Sequence, residues 1–249
     1  MSCFQTLPKD IQDGIAREVE ADPAACLQVS RGNSKLRKTS EYIRDHITDP
    51  GMQWLADRIG DRYRIASFNL PAGGYGWYVQ GVLTMILVCI GALHCLHLCY
   101  ARQGRYTYTA AARVRVRNHR ALLALGRSVQ DVANALLRAI SRLPRSVGII
   151  RLHDSGDLYS LAYLQAWILV ARQRPDLVFY LFTKSVLLFL RIRDELPENF
   201  VVTFSEGGKW DDRIPEYARR SIIFGSAADM QAHLPIVIDG NDPKRGDLP

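Results

Sequence analysis

A chain of 249 residues, 48% hydrophobic and 23% charged, carries enough apolar side chains for one large or two small domains with a true core, and too many to be disordered. Its formal net charge of +7 favours anionic partners without requiring one, since a solvated basic surface accounts for it equally well. Five cysteines, three of them clustered, speak against a disulfide framework spread over a secreted domain and fit thiols kept for metal or chemistry in a reducing, cytoplasmic compartment.

Residues 1–60 read as a helical lead-in. Met1 to Glu20 is mixed polar and charged, without the apolar core of a signal peptide. Asp10 to Glu20 places Ile11, Ile15 and Val19 on one helical face. Arg31 to Leu36 reads as a basic turn. Glu41 to His46 and Met52 to Ile59 read as short helices separated by Asp49-Pro50-Gly51. Cys3 and Cys26 are ordinary small thiols with no assigned role.

Arg64 to Leu70 is the first expected strand, ended by Pro71-Ala72-Gly73-Gly74. From Ile65 to Ala101 the chain holds no Asp, Glu, Lys or Arg, and Gly81 to Leu93 is strongly apolar. A membrane-spanning helix needs about 20 apolar residues. This run is shorter and continues into His94, Cys95, His97 and Cys99, so a buried segment beside a metal site is expected instead. A long basic helical region follows over 107–142, interrupted near Gly126.

Val147 to Leu152 is the second strand. An amphipathic helix over 160–174 follows, with Ser160 as its N-cap. Leu177 to Thr183 is the third strand, Val186 to Leu196 a helix, and Phe200 to Phe204 the fourth strand. Ser221 to Gly225 and Ile236 to Ile238 are expected as the fifth and sixth, with a loose tail over 241–249. Short, nearly continuous apolar strands alternating with helices predict an α/β fold, a parallel sheet with covering helices. Right-handed crossovers leave an open doubly wound sheet or a full or partial barrel. In either, ligands bind beyond the carboxyl ends of the strands. Those ends are polar here: Asn69, then His153, Asp154 and Asp157, then Thr183, Lys184 and Ser185, then Ser205 and Glu206.

Cys89, Cys95 and Cys99 are separated by five and three residues. Thiolates select zinc, copper(I) or iron–sulfur clusters. Three cysteines leave one position open for a substrate or cofactor, unless His94 or His97 completes a zinc site. The plainer alternative is three small buried side chains. For His153 to Asp157 the plainer alternative is a strand-to-helix turn whose Asp and Ser side chains satisfy backbone amides.

The stretches Gly32 to Leu36, Phe68 to Ala72, Cys89 to Tyr106, Arg151 to Ser160 and Phe179 to Ser185 occur in this order in the gene product 88 family of phage and plasmid proteins, which the chain resembles over 32–208. That family is similar in turn to the radical S-adenosylmethionine enzymes. The resemblance implies a partial (β/α)6 TIM-like barrel over 61–240. It implies a [4Fe–4S] cluster on Cys89, Cys95 and Cys99, with S-adenosylmethionine bound to the open iron. Asp154, Asp157 and Lys184 would be the catalytic residues, and His153, Ser155, Gly156 and Glu206 would surround the cofactor. The substrate is left open. Two departures stand out: the spacing C-x5-C-x3-C where the superfamily has C-x3-C-x2-C, and an apolar insertion over 74–88.

Two other readings compete. The basic run Arg102 to Arg120, interleaved with Tyr106 and Tyr108, would suit a nucleic-acid-associated module, cations on phosphates and rings on bases. His153, Asp154 and Asp157 would suit a divalent-metal hydrolase if they converged on one ion.

Overall fold

The structure of the protein, a computed structural model, describes residues 5–222. The chain opens with β1 (Gln5–Thr6), α1 (Lys9–Ala21), α2 (Pro23–Cys26), β2 (Val29–Ser30), α3 (Ser34–His46) and α4 (Gln53–Ile59). Three strands follow, β3 (Arg64–Phe68), β4 (Gly74–Val79) and β5 (Val82–Leu87). Then come α5 (Cys95–Leu98), α6 (Thr109–Ala124), α7 (Val129–Ser141), β6 (Val147–Leu152), α8 (Leu161–Gln173), β7 (Val178–Thr183), α9 (Val186–Leu190), β8 (Phe200–Ser205) and β9 (Arg220–Ser221).

Among the described residues the main sheet has the order β2-β3-β6-β7-β8-β9. Strands β3, β6, β7, β8 and β9 are parallel, and β2 runs antiparallel at one edge. The parallel strands therefore follow chain order, and every crossover steps the same way. A doubly wound sheet instead reverses direction at a switch point. The expected α/β sheet is present, but no barrel closes among the described residues, and β2 and β9 remain as edges.

The central strands are apolar on both faces because both are covered. All six residues of β6 are buried. On one face Leu152, Phe179 and Phe200 pack with Leu136 of α7 and Trp167 of α8. On the other, Ile65, Ile149, Val178 and Tyr180 meet Leu36 and Ile43 of α3 and Ile59 of α4. The lead-in helices thus supply a layer of the fold, and α1 and α2 pack on α6.

Local chemistry sets most boundaries. Ser160 caps α8 by accepting from Tyr163 N. Asn33 caps α3 by accepting from Leu36 N, so the helix begins inside the stretch expected as a turn. The helix expected over 186–196 stops at Leu190 and ends in a 3-10 turn at Arg193–Glu195. Pro197 disfavours helical geometry at the residue before it. Of the fifth expected strand, the described part pairs as β9; residues 223–225, the sixth strand and the tail lie outside the described residues.

The apolar segment expected to be buried is corrected by the structure. It is a hairpin at the edge of a second sheet, β1-β4-β5. Its turn, Gln80-Gly81, has φ of +49° and +81°, as a two-residue type I′ connection requires. Strand β5 pairs only with β4, so Val82 (67%), Leu83 (46%), Met85 (41%) and Leu87 (58%) stay exposed. Strand β4 buries Tyr75 and Trp77, and of the run over 81–93 Val88 and Ala92 are buried. Among the described residues no helix is long and apolar enough to cross a membrane.

Two histidines are buried between α6, α8 and the sheet. His119 Nδ1 lies 3.0 Å from the Tyr75 hydroxyl, and His153 Nε2 lies 3.4 Å from that of Tyr163. Burial holds both pKa values down to about 3. Each ring is neutral in the folded state, while an unfolded histidine takes up a proton below about 6.5. The stability they contribute is therefore complete above about pH 6.5 and is lost as pH falls toward 3. Urea unfolding at pH 7 and pH 5 should show a loss of about 2 kcal/mol per histidine. His119→Gln should remove its share of that slope, and an unchanged slope would contradict the assignment.

Candidate functional site

Strand β6 ends at Leu152, and His153 then adopts φ +64°, a left-handed conformation unusual for a non-glycine residue. The turn buries the next carboxylate, Asp154. Arg151 Nη1 lies 3.1 Å from its Oδ1. Its Oδ2 accepts at 2.5 Å from both the Tyr106 hydroxyl and Asn33 Nδ2. The Tyr100 hydroxyl donates to the Asp154 carbonyl at 2.7 Å. Burial pushes the Tyr100 pKa up to about 12, so it acts as a neutral donor. One carboxylate thus joins the cap of α3, the end of β6 and the segment after the last cysteine.

Asp157 faces another way. Its Oδ1 accepts from Thr183 Oγ1 at 2.7 Å and Leu158 N at 2.8 Å, and its Oδ2 from Lys184 N at 2.9 Å. Burial raises its pKa, and these three bonds oppose the rise. Lys184 is buried, and Nζ donates to Ser205 Oγ at 2.6 Å, the Glu206 carbonyl at 2.7 Å and the Ser205 carbonyl at 3.0 Å. The ends of β6, β7 and β8 are fastened together by these two side chains.

The cysteine segment is laid across those ends. Ala92 bridges Gly208, Cys95 N donates to Gly207 O at 3.3 Å, and Lys209 N donates to Gly91 O at 2.9 Å. Gly91 sits so close to β7 that an added Cβ would lie 2.1 Å from the Lys184 carbonyl oxygen. Cys89 Sγ accepts from Gly73 N at 3.1 Å. All three cysteines are free and half-buried. Burial raises the Cys89 pKa, helped by the charge of Asp157 and by the other two thiols. Burial also raises that of Cys95, and the Lys184 ammonium opposes it. The three thiols, Asp157 and Lys184 share one electrostatic neighbourhood. His94 and His97 are exposed. Among the described residues no three His, Cys, Asp or Glu side chains form a ready-made metal site.

The other sequence-derived candidates bond to groups other than the thiols. His153 packs against Phe68 and Tyr163. Ser155 Oγ donates to the Leu70 carbonyl at 2.9 Å, and Gly156 has φ +88° with Leu70 Cβ 2.7 Å from where its own would stand. These two residues zip β3 to β6. The Glu206 carboxylate lies 3.6 Å from Arg220. His153, Asp154 and Asp157 each bond to different partners and do not converge as a divalent-metal hydrolase would need. The basic run is largely taken up internally: Arg113 and Arg117 pair with Glu18, Arg115 is buried, and Arg120 lies 4.6 Å over the Trp77 ring. Asn33, Tyr100 and Tyr106 were not singled out as site residues, although each lies within one of the motif stretches.

The family model described as Gene product 88 matches residues 27–248, a span that includes every residue of this site. No curated protein matches the chain, and no solved structure does.

Removing the carboxylate of Asp154 would leave the buried Arg151 guanidinium without its ion-pair partner. Asp154→Ala should cost about 3–5 kcal/mol in chemical denaturation. A change within about 0.5 kcal/mol, as for an ordinary surface position, would contradict the junction role.

Proposed function

The chain belongs to the gene product 88 family, and we propose that it is an iron–sulfur protein in which Cys89, Cys95 and Cys99 hold a [4Fe–4S] cluster. The observation that carries the reading is the shared neighbourhood of the three free thiols, Asp157 and Lys184 beyond the carboxyl ends of parallel strands. The donor set fits the group: three soft ligands, with no fourth thiol of the segment among the described residues. Loading draws the three thiols together and removes their protons. Bound there, the cluster supplies one-electron chemistry with one iron open to S-adenosylmethionine.

The chain's own residues have separable roles in this reading. Lys184 favours the thiolate form of Cys95. Asp157, fixed by Thr183 and two backbone amides, presents a negative charge to the cationic end of the cofactor. Asp154 is a positioning residue that anchors the segment behind Cys99 through Tyr100. His153, Ser155 and Gly156 shape the turn that carries both aspartates. Glu206 offers its backbone carbonyl to Lys184. The described part of the domain, residues 61–222, is read as a variant of the partial (β/α)6 barrel, a reading supported by strands that follow chain order.

Anaerobic reconstitution with iron and sulfide should give a brown protein with thiolate-to-iron charge-transfer absorption, and the triple Cys→Ala variant should stay colourless. Lys184→Met should weaken cluster retention roughly tenfold or more, as removal of supporting groups around metal ligands does. Gly91→Ala should impair loading by lifting the segment off β7. A wild-type protein that stays colourless and takes up zinc stoichiometrically would overturn the proposal.

A further inference from the structure

A cavity of about 260 Å3 lies between the strand-end turn Pro71-Ala72, the segment after the cysteines and the first turns of α6. Its wall includes Tyr75, Ala112 and two guanidinium-bearing residues, Arg102 and Arg115. Arg115 is only 6% exposed. It donates to the Tyr106 carbonyl and lies 5.6 Å over the Tyr106 ring. It forms no ion pair with a carboxylate among the described residues. The acid whose charge reaches it is Asp154, which is in direct contact with Arg151.

The charge balance here is uneven. Of two buried guanidiniums, Arg115 and Arg151, only Arg151 pairs with the buried carboxylate of Asp154. An uncompensated buried charge is costly. Arg115 is the one of the two left without a carboxylate partner among the described residues, and it lines the cavity. The cavity also abuts the N-terminal end of α6, a 16-residue helix with no side-chain cap and no acidic residue in its first turn. The helix dipole therefore adds to the positive potential. Arg102 brings a second guanidinium, tied at 2.5 Å to the Leu96 carbonyl.

We propose that this cavity is an oxyanion site that takes the phosphoryl or carboxylate group of a small metabolite, with Arg115 as its principal counter-charge. The volume falls at the small end of ligand pockets, so it suits a compact molecule and not a polymer. Phosphate and carboxylate share the recognition chemistry, since a guanidinium fork matches both. The site is testable apart from the cluster proposed above, because its principal counter-charge, Arg115, stands on α6 and not in the cysteine segment.

Isothermal titration at constant ionic strength, with inorganic phosphate and separately with acetate, tests it. The wild-type chain should bind at least one of the two saturably in the millimolar range, and the tighter of them identifies the group. Arg115→Gln should weaken that binding tenfold or more. Ala72→Leu, which fills the cavity and leaves every charge in place, should do the same if Arg115→Gln does not fold. The triple Cys→Ala variant should bind as the wild type does. Absence of saturable binding by either anion, or equal binding by wild type and Ala72→Leu, would overturn the proposal.

Discussion

The buried carboxylate of Asp154 is the contact on which the arrangement of the site depends. It receives Asn33 from the lead-in, Arg151 from β6 and Tyr106 from the segment after the cysteines, while its backbone carbonyl receives Tyr100. A buried carboxylate is tolerated only when paired and hydrogen-bonded, and these partners come from three separate parts of the chain. Each part is held only while the others are. The left-handed turn at His153 is what points the carboxylate inward, and the packing of His153 against Phe68 and Tyr163 holds that turn in place.

Given this junction, the cysteine segment is fixed at both ends. Its front is held by backbone bonds to 207–209 and by the close approach of Gly91 to Lys184. Its rear is held by Tyr100 on Asp154. Cys95 and Cys99 lie between the two anchors and Cys89 just before the first, and the charges of Asp157 and Lys184, which themselves tie β6, β7 and β8 together, reach this segment. The two aspartates of the turn therefore divide the work. Asp154 secures the frame, and Asp157 is the one whose charge reaches the thiols. Tyr106 links this frame to the cavity beside α6, since its hydroxyl donates to Asp154 while its carbonyl and ring hold Arg115.

Elements with two covered faces were legible in the sequence. Strands β6, β7 and β8 appeared as unbroken apolar runs, and the Ser160 cap marked the start of α8. Polar residues marked the strand ends across which the cysteine segment lies. The front of the 81–93 run was misread because apolar composition was equated with burial, whereas β5 is largely exposed. The hairpin signal, a Gln80-Gly81 turn between two matched runs, lay unused just before β5. The saturation of Asp154 was not legible, because Asn33, Tyr100 and Tyr106 are 121, 54 and 48 residues away. Their meeting depends on the helical lead-in packing on the sheet, which local periodicity does not encode. The fate of the basic run was hidden for the same reason: Glu18 and Trp77 reach it only in the folded chain.

The central proposal is that the three thiols of this anchored segment, Cys89, Cys95 and Cys99, hold an iron–sulfur cluster. The most direct measurement is the metal and acid-labile sulfide content of protein purified without oxygen. The account predicts about four iron and four sulfide per chain, both falling to background in the triple Cys→Ala variant. About one zinc per chain with no sulfide, or no metal at all, would contradict it.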